Sequence, residues 1–417
     1  MIISTTPFLF FVGSEGITEK WITFVLKQRK FRFMKDNFAL ASKPRYDILD
    51  GLRGVAAVLV VLFHMGETYG ASPSEQVINH GYLAVDFFFI LSGFVVGYAY
   101  DDRWNKMSLW DFFKRRLVRL HPMVIMGTVI GAILYGFGQC EGFPQIGNVE
   151  GWKVALCFVM GCFMIPCGVG LDIRGWREMN SFNGPNWTLT WEYLANILYA
   201  LVLRFLPKAV LAVLVVLAGV CTLDLCLDLD IFGLITERRE SHLYTVIGGW
   251  AITPEQLYIG ATRLAYPFLC GLLLSRVGKY IKVKKNGFLW CSLFLSAILV
   301  TPYIGTAPSI WNGVYNAVAI LLLFPVIVLM GAGSTLKSER GAKVCNFLGE
   351  ISYPLYITHY PILYAHMAWA WEHPEAPTYL HIMTGVGVVV ASIAVAYGCS
   401  KLYDLPVRKW LSDKFLK

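Results

Sequence analysis

An arginine and a histidine stand eleven residues apart in the stretch DILDGLRGVAAVLVVLFH, which covers residues 47–64. Arg53 opens an apolar run, and His64 lies inside it. On an α-helix this spacing is a rise of ~16 Å that leaves both side chains within about 20° of one face. An imidazole can act as a base or a nucleophile near neutral pH, and a guanidinium can bind phosphate. Ionisable groups inside apolar helices usually face a protein interior or a wet cavity, so the pair predicts a functional site.

A second group of cations lies in the segment DDRWNKMSLWDFFKRRLVRLHP, at the start of a later apolar run. On a helix Arg116 and Arg119 are neighbours that can hold one anionic group between them. Taken separately, Arg53 has a simpler interpretation as a snorkelling side chain, and the basic segment has one as a lipid-headgroup contact. Because both sets fall at the same predicted membrane face, we expect Arg53, Arg116 and Arg119 to bind a polyphosphate ligand.

Two carboxylates, an arginine and a histidine lie inside other apolar segments. Asp86 lies just inside the outer end of one segment, where a catalytic role and a structural pairing both remain open. Glu192 lies a few residues inside the outer end of another, so it could descend toward His64. For Arg263 we expect a structural ion pair with Asp86 or Glu192. His359 is either a packing histidine or a member of the site.

The composition identifies the environment of these residues. The 417 residues are 56% hydrophobic and 15% charged, and the mean hydropathy is +0.55, a balance that no ordinary soluble domain shows. Ten apolar segments approach the ~20 residues that cross a bilayer. They cover residues 52–68, 82–100, 121–138, 186–203, 209–227, 256–275, 287–304, 313–331, 350–369 and 381–400. The sequence therefore predicts an all-α polytopic membrane protein with about ten transmembrane helices, plus a re-entrant or interfacial segment at 152–166.

The distribution of basic residues predicts the orientation. The formal net charge is +8, yet the basic residues cluster at the ends of apolar runs, so nucleic acid is not indicated as a partner. With both termini cytoplasmic, the inner links hold the basic clusters. The outer links hold only Lys153, Arg174, Arg177, Arg238 and Arg239. This asymmetry follows the positive-inside rule and predicts a multi-pass protein of the cell membrane.

The remaining features predict little chemistry. Most of the ten cysteines lie in apolar segments, and no CxxC or Cys/His ligand spacing occurs, so neither a metal site nor a disulfide framework is indicated. Residues 1–45 are interpreted as a cytoplasmic arm or an upstream extension, and residues 46–417 as one membrane domain.

Several motifs in order along the chain resemble the acyltransferase-3 family of integral-membrane O-acyltransferases. They are the arginine, ten residues, histidine signature at 53–64, then GYLAVDFFFILSGF, RRLVRLHP, PNWTLTWE, SYPLYITHYP and DLPVRKWL. The departures are small: Ala84 replaces a common glycine, Thr188 a serine and Asp404 a glutamate. None of these departures removes a candidate catalytic group.

The resemblance implies transfer of an acyl group, most often acetyl from cytoplasmic acetyl-CoA, onto a hydroxyl of an extracytoplasmic carbohydrate or glycolipid. Such a reaction needs a base, a group that stabilises the oxyanion and residues that bind the acyl donor. His64 is then the general base or the acyl carrier, with Glu192 and Asp86 as further catalytic candidates. Arg53, Arg116 and Arg119 would bind the CoA phosphates, and no metal is required.

Two other interpretations remain open. A transporter or flippase would use the same intramembrane Arg, His, Asp and Glu residues as a substrate or ion path. Such proteins are typically built from internal repeats with interrupted helices, and the sequence shows no evident repeat. Another membrane acyltransferase family with a buried histidine would give similar chemistry with a different set of site residues.

Overall fold

A computed structural model describes residues 43–416, except 71, 236, 237 and 337. Our interpretation of residues 1–42 lies outside the described residues. Every regular element in this part of the chain is helical. The helices are α1 (Asp47–Gly66), α2 (Ala84–Tyr100), α3 (Leu109–Leu134), α4 (Gly151–Cys162), α5 (Trp187–Leu201), α6 (Lys208–Leu227), α7 (Pro254–Val277), α8 (Gly287–Val300), α9 (Ile310–Val318), α10 (Phe324–Ala332), α11 (Glu339–Glu372), α12 (Thr378–Cys399) and α13 (Leu405–Phe415). Short π-helical turns join α9 to α10 and α12 to α13.

All ten predicted apolar segments form helices, and the prediction of an all-α polytopic membrane protein is confirmed. Within the described residues, seven helical stretches are long and apolar enough to cross a membrane. They contain α1, α2, α3, α6, α7, the α9–α10 pair and the α12–α13 pair. The other three predicted segments correspond to α5, α8 and α11. The segment at 152–166 forms the 12-residue helix α4, whose length of ~18 Å is short for a ~30 Å hydrocarbon core.

Local sequence explains where several of these helices begin and end. Ser108 and Asp111 form a capping box at the start of α3, which satisfies amide groups that have no partner inside the helix. Thr253 caps α7, and Pro254 occupies its first position, where a missing N–H costs nothing. Gly278 follows the last residue of α7, and its φ of 68° lies in the left-handed region that glycine adopts without strain.

Helices α1 and α11 lie side by side and run in the same direction. A side chain at Gly54 would approach the backbone oxygen of Leu348 to 2.2 Å, and one at Gly51 would meet Cys345. Small residues let membrane helices approach this closely. Along the same pair of helices, His64 of α1 lies against His359 of α11. The two glycines therefore fix the register that brings the two histidines together.

Helices α2 and α7 are in equally close contact. A Cβ at Gly93 would lie 2.0 Å from the backbone oxygen of Phe268, and a Cβ at Gly271 would lie 2.0 Å from that of Ile90. The two glycines therefore permit the close packing of α2 against α7. Ser92, the neighbour of Gly93, has a different role and contacts Glu192.

Candidate active site

His64 lies two residues before the end of α1, and its partner is a carboxylate one turn further on. Nδ1 of His64 lies 2.7 Å from Oε2 of Glu67, and the two side chains are 19% and 29% exposed. A carboxylate at Nδ1 holds the proton on that nitrogen and leaves the Nε2 lone pair free, the arrangement of a general base or nucleophile. Sequence reasoning missed Glu67, although its position three residues after His64 is a helical contact spacing.

A second histidine stacks on the first. The ring centroids of His64 and His359 are 5.5 Å apart with an interplanar angle of 28°. His359 is fully buried, and its Nδ1 donates to the backbone oxygen of Leu355 at 3.0 Å. Because Nδ1 carries the proton, Nε2 is a lone-pair acceptor, and it has no hydrogen-bond partner among the described residues. Such an orphaned acceptor is costly to bury and is a candidate contact for a substrate donor.

Tyr360 closes the other side of this group. Its hydroxyl donates to Oε2 of Glu67 at 3.3 Å, and its ring meets that of His64 edge-on at 4.7 Å. Glu67 is therefore oriented from two sides. We call His64, Glu67, His359 and Tyr360 the histidine cluster.

The loop between α4 and α5 contacts α11 one turn beyond this cluster. The hydroxyl of Tyr364 donates to both oxygens of Glu178, at 2.8 and 2.6 Å. The guanidinium of Arg174 lies 3.6 Å from the centre of the Tyr364 ring. Burial raises the pKa of Glu178 to about 7, although Tyr364 and Arg174 oppose the shift. A side chain at Gly184 would lie 2.4 Å from Glu178, so this glycine leaves room for the carboxyl.

A proline in α11 creates a further contact with the same loop. Pro361 has no N–H, so the backbone oxygen of Ile357, four residues earlier, lacks its helical donor. Nδ2 of Asn183 donates to that oxygen at 2.7 Å. The loop thus provides the hydrogen-bond donor that α11 lacks at Pro361.

The three predicted phosphate-binding arginines lie near one another. The guanidinium of Arg119 interacts electrostatically with Arg116 and Arg53, and also with Asp50. Nη1 of Arg53 contacts Asp50 at 3.2 Å. We call Arg53, Arg116 and Arg119 the arginine cluster. Arg53 and His64 occupy one helix, so the cluster and His64 are separated by ~16 Å of helical rise.

The structure does not bring Glu192 to His64. Oε1 of Glu192 accepts from Nη2 of Arg116 at 2.7 Å and from the hydroxyl of Ser92 at 3.0 Å. Arg116 is 5% exposed, so this is a largely buried, charge-assisted contact. Glu192 therefore belongs with the arginine cluster, and the carboxylate beside the imidazole is Glu67.

Asp86 is also held away from the imidazole, in an ion pair. Its two carboxylate oxygens accept from Nη2 and Nε of Arg263 at 2.7 and 3.4 Å, and both residues are buried. Arg263 also donates to the backbone oxygen of Tyr82 at 2.6 Å. The expected structural partner of Arg263 is thus Asp86.

The arrangement defines a class: a helical membrane protein with a carboxylate-oriented imidazole at one end of a helix and a cation cluster toward the other. Among the described residues, no three His, Cys, Asp or Glu side chains are grouped to hold a metal. A base or nucleophile on a helix that also carries one arginine of a cluster able to bind an anion suits the transfer of a group from a phosphorylated donor.

Comparison with known proteins identifies the family. Residues 46–401 match the Acyl_transf_3 family, described as an acyltransferase domain, and the chain belongs to this family of acyltransferases. Protein 2 in the picA locus of Rhizobium radiobacter is 32% identical over 163 residues, which are 37% of this chain and 81% of that protein.

Two longer relatives carry functional names. The peptidoglycan O-acetyltransferase OatA of Listeria monocytogenes is 25% identical over 339 residues, 76% of this chain and 49% of that protein. The O-acetyltransferase OatA of Staphylococcus aureus is 22% identical over 391 residues, 88% of this chain and 58% of that protein. The matches therefore span only about half the length of these two relatives. No solved structure matches the chain.

Proposed function

We propose that this protein is an O-acyltransferase of the cell membrane that moves an acetyl group from acetyl-CoA to a hydroxyl of a cell-envelope carbohydrate. The observation that carries the proposal is the histidine cluster, in which Glu67 orients His64 and a second imidazole stacks on it. Family membership supports acyl transfer. The names of the OatA relatives support a hydroxyl acceptor, and the Listeria name supports a cell-wall glycan.

The donor binds at the arginine cluster. The positive-inside rule supports a cytoplasmic location for this end of α1 and for both termini, and the cytoplasm is where acetyl-CoA is available. Arg53 and Arg119 contact the CoA phosphates, and Glu192 positions Arg116 for the same task. The long pantetheine arm of CoA then covers the ~16 Å of helical rise to His64 and delivers the thioester there.

The acceptor reaches His64 from the opposite face of the membrane. In one mechanism Nε2 of His64 removes the hydroxyl proton while the oxygen attacks the thioester, and the proton passes to the departing thiolate of CoA. In the other, Nε2 of His64 attacks the thioester and CoA leaves as the thiolate. The hydroxyl then attacks the acyl-imidazole, the bond to Nε2 breaks, and the hydroxyl proton passes to the CoA thiolate. Either way, Glu67 stabilises the positive charge that develops on the ring. The free Nε2 of His359 accepts a hydrogen bond from the acceptor and orients it.

Purified protein incubated with radiolabelled acetyl-CoA and a panel of cell-envelope glycans tests this function. We expect label in an alkali-labile ester on one glycan class. His64→Ala should abolish transfer yet leave acetyl-CoA binding nearly unchanged, because the phosphate grip lies elsewhere. Near-normal transfer by His64→Ala would eliminate this mechanism. Movement of an unmodified substrate into vesicles, without transfer of label, would favour a transporter.

A further inference from the structure

Two cysteine side chains meet where the loop after α4 folds back on that helix. Sγ of Cys157, on α4, lies 3.7 Å from Sγ of Cys167 in the loop. Each residue is 3% exposed, and both pack with Ile173 and Phe182 in one apolar cluster. The separation is a contact between two thiols, whereas a disulfide bond is ~2.05 Å long.

Backbone geometry holds the two thiols together. After α4 ends at Cys162, Met164 adopts a left-handed φ of 55° and the chain reverses. The amide of Ile165 then donates to the backbone oxygen of Met160 at 2.9 Å, and the amide of Cys167 donates to that of Met179 at 2.8 Å. The contact therefore depends on an anchored loop and not on two mobile side chains.

We propose that Cys157 and Cys167 form a structural disulfide in this protein. The proposal rests on the orientation proposed above, which places residues 139–185 outside the cytoplasm, where disulfides form and persist. The spacing along the chain gives no such signal, because ten positions separate the two cysteines and no recognised motif surrounds them. Their proximity is a property of the folded loop.

The oxidant is a thiol–disulfide oxidoreductase that acts while the loop folds. The thiolate of Cys167 attacks the oxidant's disulfide and forms a mixed disulfide. Cys157 then attacks the sulfur of Cys167 and releases the oxidant with two reduced thiols. Two electrons and two protons pass from the cysteine pair to the oxidant. The hydrogen bond with Cys157 lowers the pKa of Cys167, in agreement with its role as the attacking thiolate.

The proposed disulfide anchors the segment that contains Arg174 and Glu178 to α4. Both residues contact Tyr364 on α11, one turn beyond Tyr360 of the histidine cluster. A cross-link between α4 and this loop restricts the conformations of the unfolded chain and keeps the loop close to α11.

Differential alkylation of the full-length protein tests the proposal. Bacterial cells expressing it are quenched in acid, denatured and treated with N-ethylmaleimide. After reduction, a heavy form of the reagent is added. Cleavage after Lys153 and Arg174 gives one peptide with Cys157, Cys162 and Cys167. We expect heavy label on Cys157 and Cys167, and light label on Cys162. Light label on all three would overturn the proposal.

A matched pair of variants and a topology control complete the test. Cys157→Ser should convert Cys167 to a light-labelled thiol, and Cys162→Ser should leave the disulfide intact. Reductant should lower the thermal midpoint of the natural protein by several degrees and leave that of Cys157→Ser unchanged.

In a cysteine-free background, Gly168→Cys reports the side of the membrane by its reaction with an impermeant thiol reagent in intact cells. Labelled Gly168→Cys together with a reduced natural pair would refute the disulfide alone. Unlabelled Gly168→Cys would refute the orientation and, with it, the disulfide.

Discussion

Nδ1 of His64 lies 2.7 Å from a carboxylate oxygen of Glu67, one helical turn further along the chain. The contact joins the last turn of α1 to the segment that follows it, and Tyr360 of α11 supports the same carboxylate. The proposed base therefore does not depend on a carboxylate from a distant helix. Glu67, in the same segment of the chain, orients the His64 ring, and His359 and Tyr360 of α11 pack against that ring.

Glu67→Gln should lower the turnover number for acetyl transfer by about 10²-fold or more, because the imidazole loses the charge that fixes its proton and stabilises its cation. The KM for acetyl-CoA should change little. Steady-state kinetics with a glycan acceptor measure both quantities. Glu375→Gln, at an exposed position, is the control. Full activity in Glu67→Gln would show that this carboxylate does not orient the base.

Arg53→Ala and Arg119→Ala should each weaken acetyl-CoA binding roughly 10- to 100-fold, the effect of removing a charge-assisted contact of ~1.5–3 kcal/mol. Isothermal titration with purified protein gives the affinity, and thermal unfolding shows whether the variants fold. Lys114→Ala removes a nearby positive charge from α3 and should have a smaller effect. Equal affinities in all three variants would rule out the arginine cluster as the donor site.

Single cysteines in a cysteine-free background test the proposed orientation. Residues 66–81, 139–185, 228–255, 305–312 and 370–380 are expected outside, so a cysteine at exposed Val77 should react with an impermeant thiol reagent in intact cells. A cysteine at exposed Lys282 should react only after the cells are opened. The reverse pattern would invert the orientation.

Glu178→Gln should change the pH dependence of stability. Burial raises the pKa of this carboxyl from 4.5 to about 7. Below pH 4.5 it is protonated in both the folded and the unfolded chain. Between pH 4.5 and 7 the carboxyl ionises in the unfolded chain but stays protonated in the folded one. The free energy of unfolding therefore decreases by up to about 3 kcal/mol as the pH rises. Above pH 7 the loss is complete.

Glutamine at 178 accepts the Tyr364 hydroxyl but does not ionise. The thermal midpoint of the variant should therefore rise relative to the natural protein between pH 4.5 and 7 and then level off. Glu141→Gln makes the same change at an exposed position in the same link. A difference that is constant with pH would show that burial of Glu178 has no such effect.

Gly54→Ala should separate α1 from α11. The added Cβ would lie 2.2 Å from the backbone oxygen of Leu348, and overpacking of this kind costs ~1–3 kcal/mol. We expect a lower thermal midpoint and reduced turnover, because His64 and His359 lose their register. Gly387→Ala on α12 meets no atom within 4 Å and is the matched control. Equal behaviour of the two variants would contradict the proposed role of this contact.

The sequence allowed the helices to be predicted well, because long apolar runs and their polar ends are local properties. It also placed Arg53 and His64 on one helix. The position of Glu192 was harder to predict, since its place near the end of an apolar segment does not define how that helix is displaced relative to its neighbours. Helix α1 begins at Asp47, five residues before the predicted span, and α5 has only 15 residues. Glu192 consequently meets Arg116.

The partner of His359 illustrates a second limit. Its place beside His64 depends on the glycine contacts between α1 and α11, which join residues about 295 positions apart in the chain. No local pattern encodes that distance. Glu67 was within reach of sequence reasoning, because the spacing of three residues from His64 is local.

The backbone contact at Gly54 has a mechanical consequence. At Gly54 the two helices meet through a glycine and a backbone carbonyl group, with no long side chain between them that could repack, so α1 and α11 are expected to move together. The same contact should keep the two imidazoles stacked when the proposed substrates bind. A conformational change that admits the proposed acceptor would then involve elements packed against these two helices, such as the loop that carries Glu178.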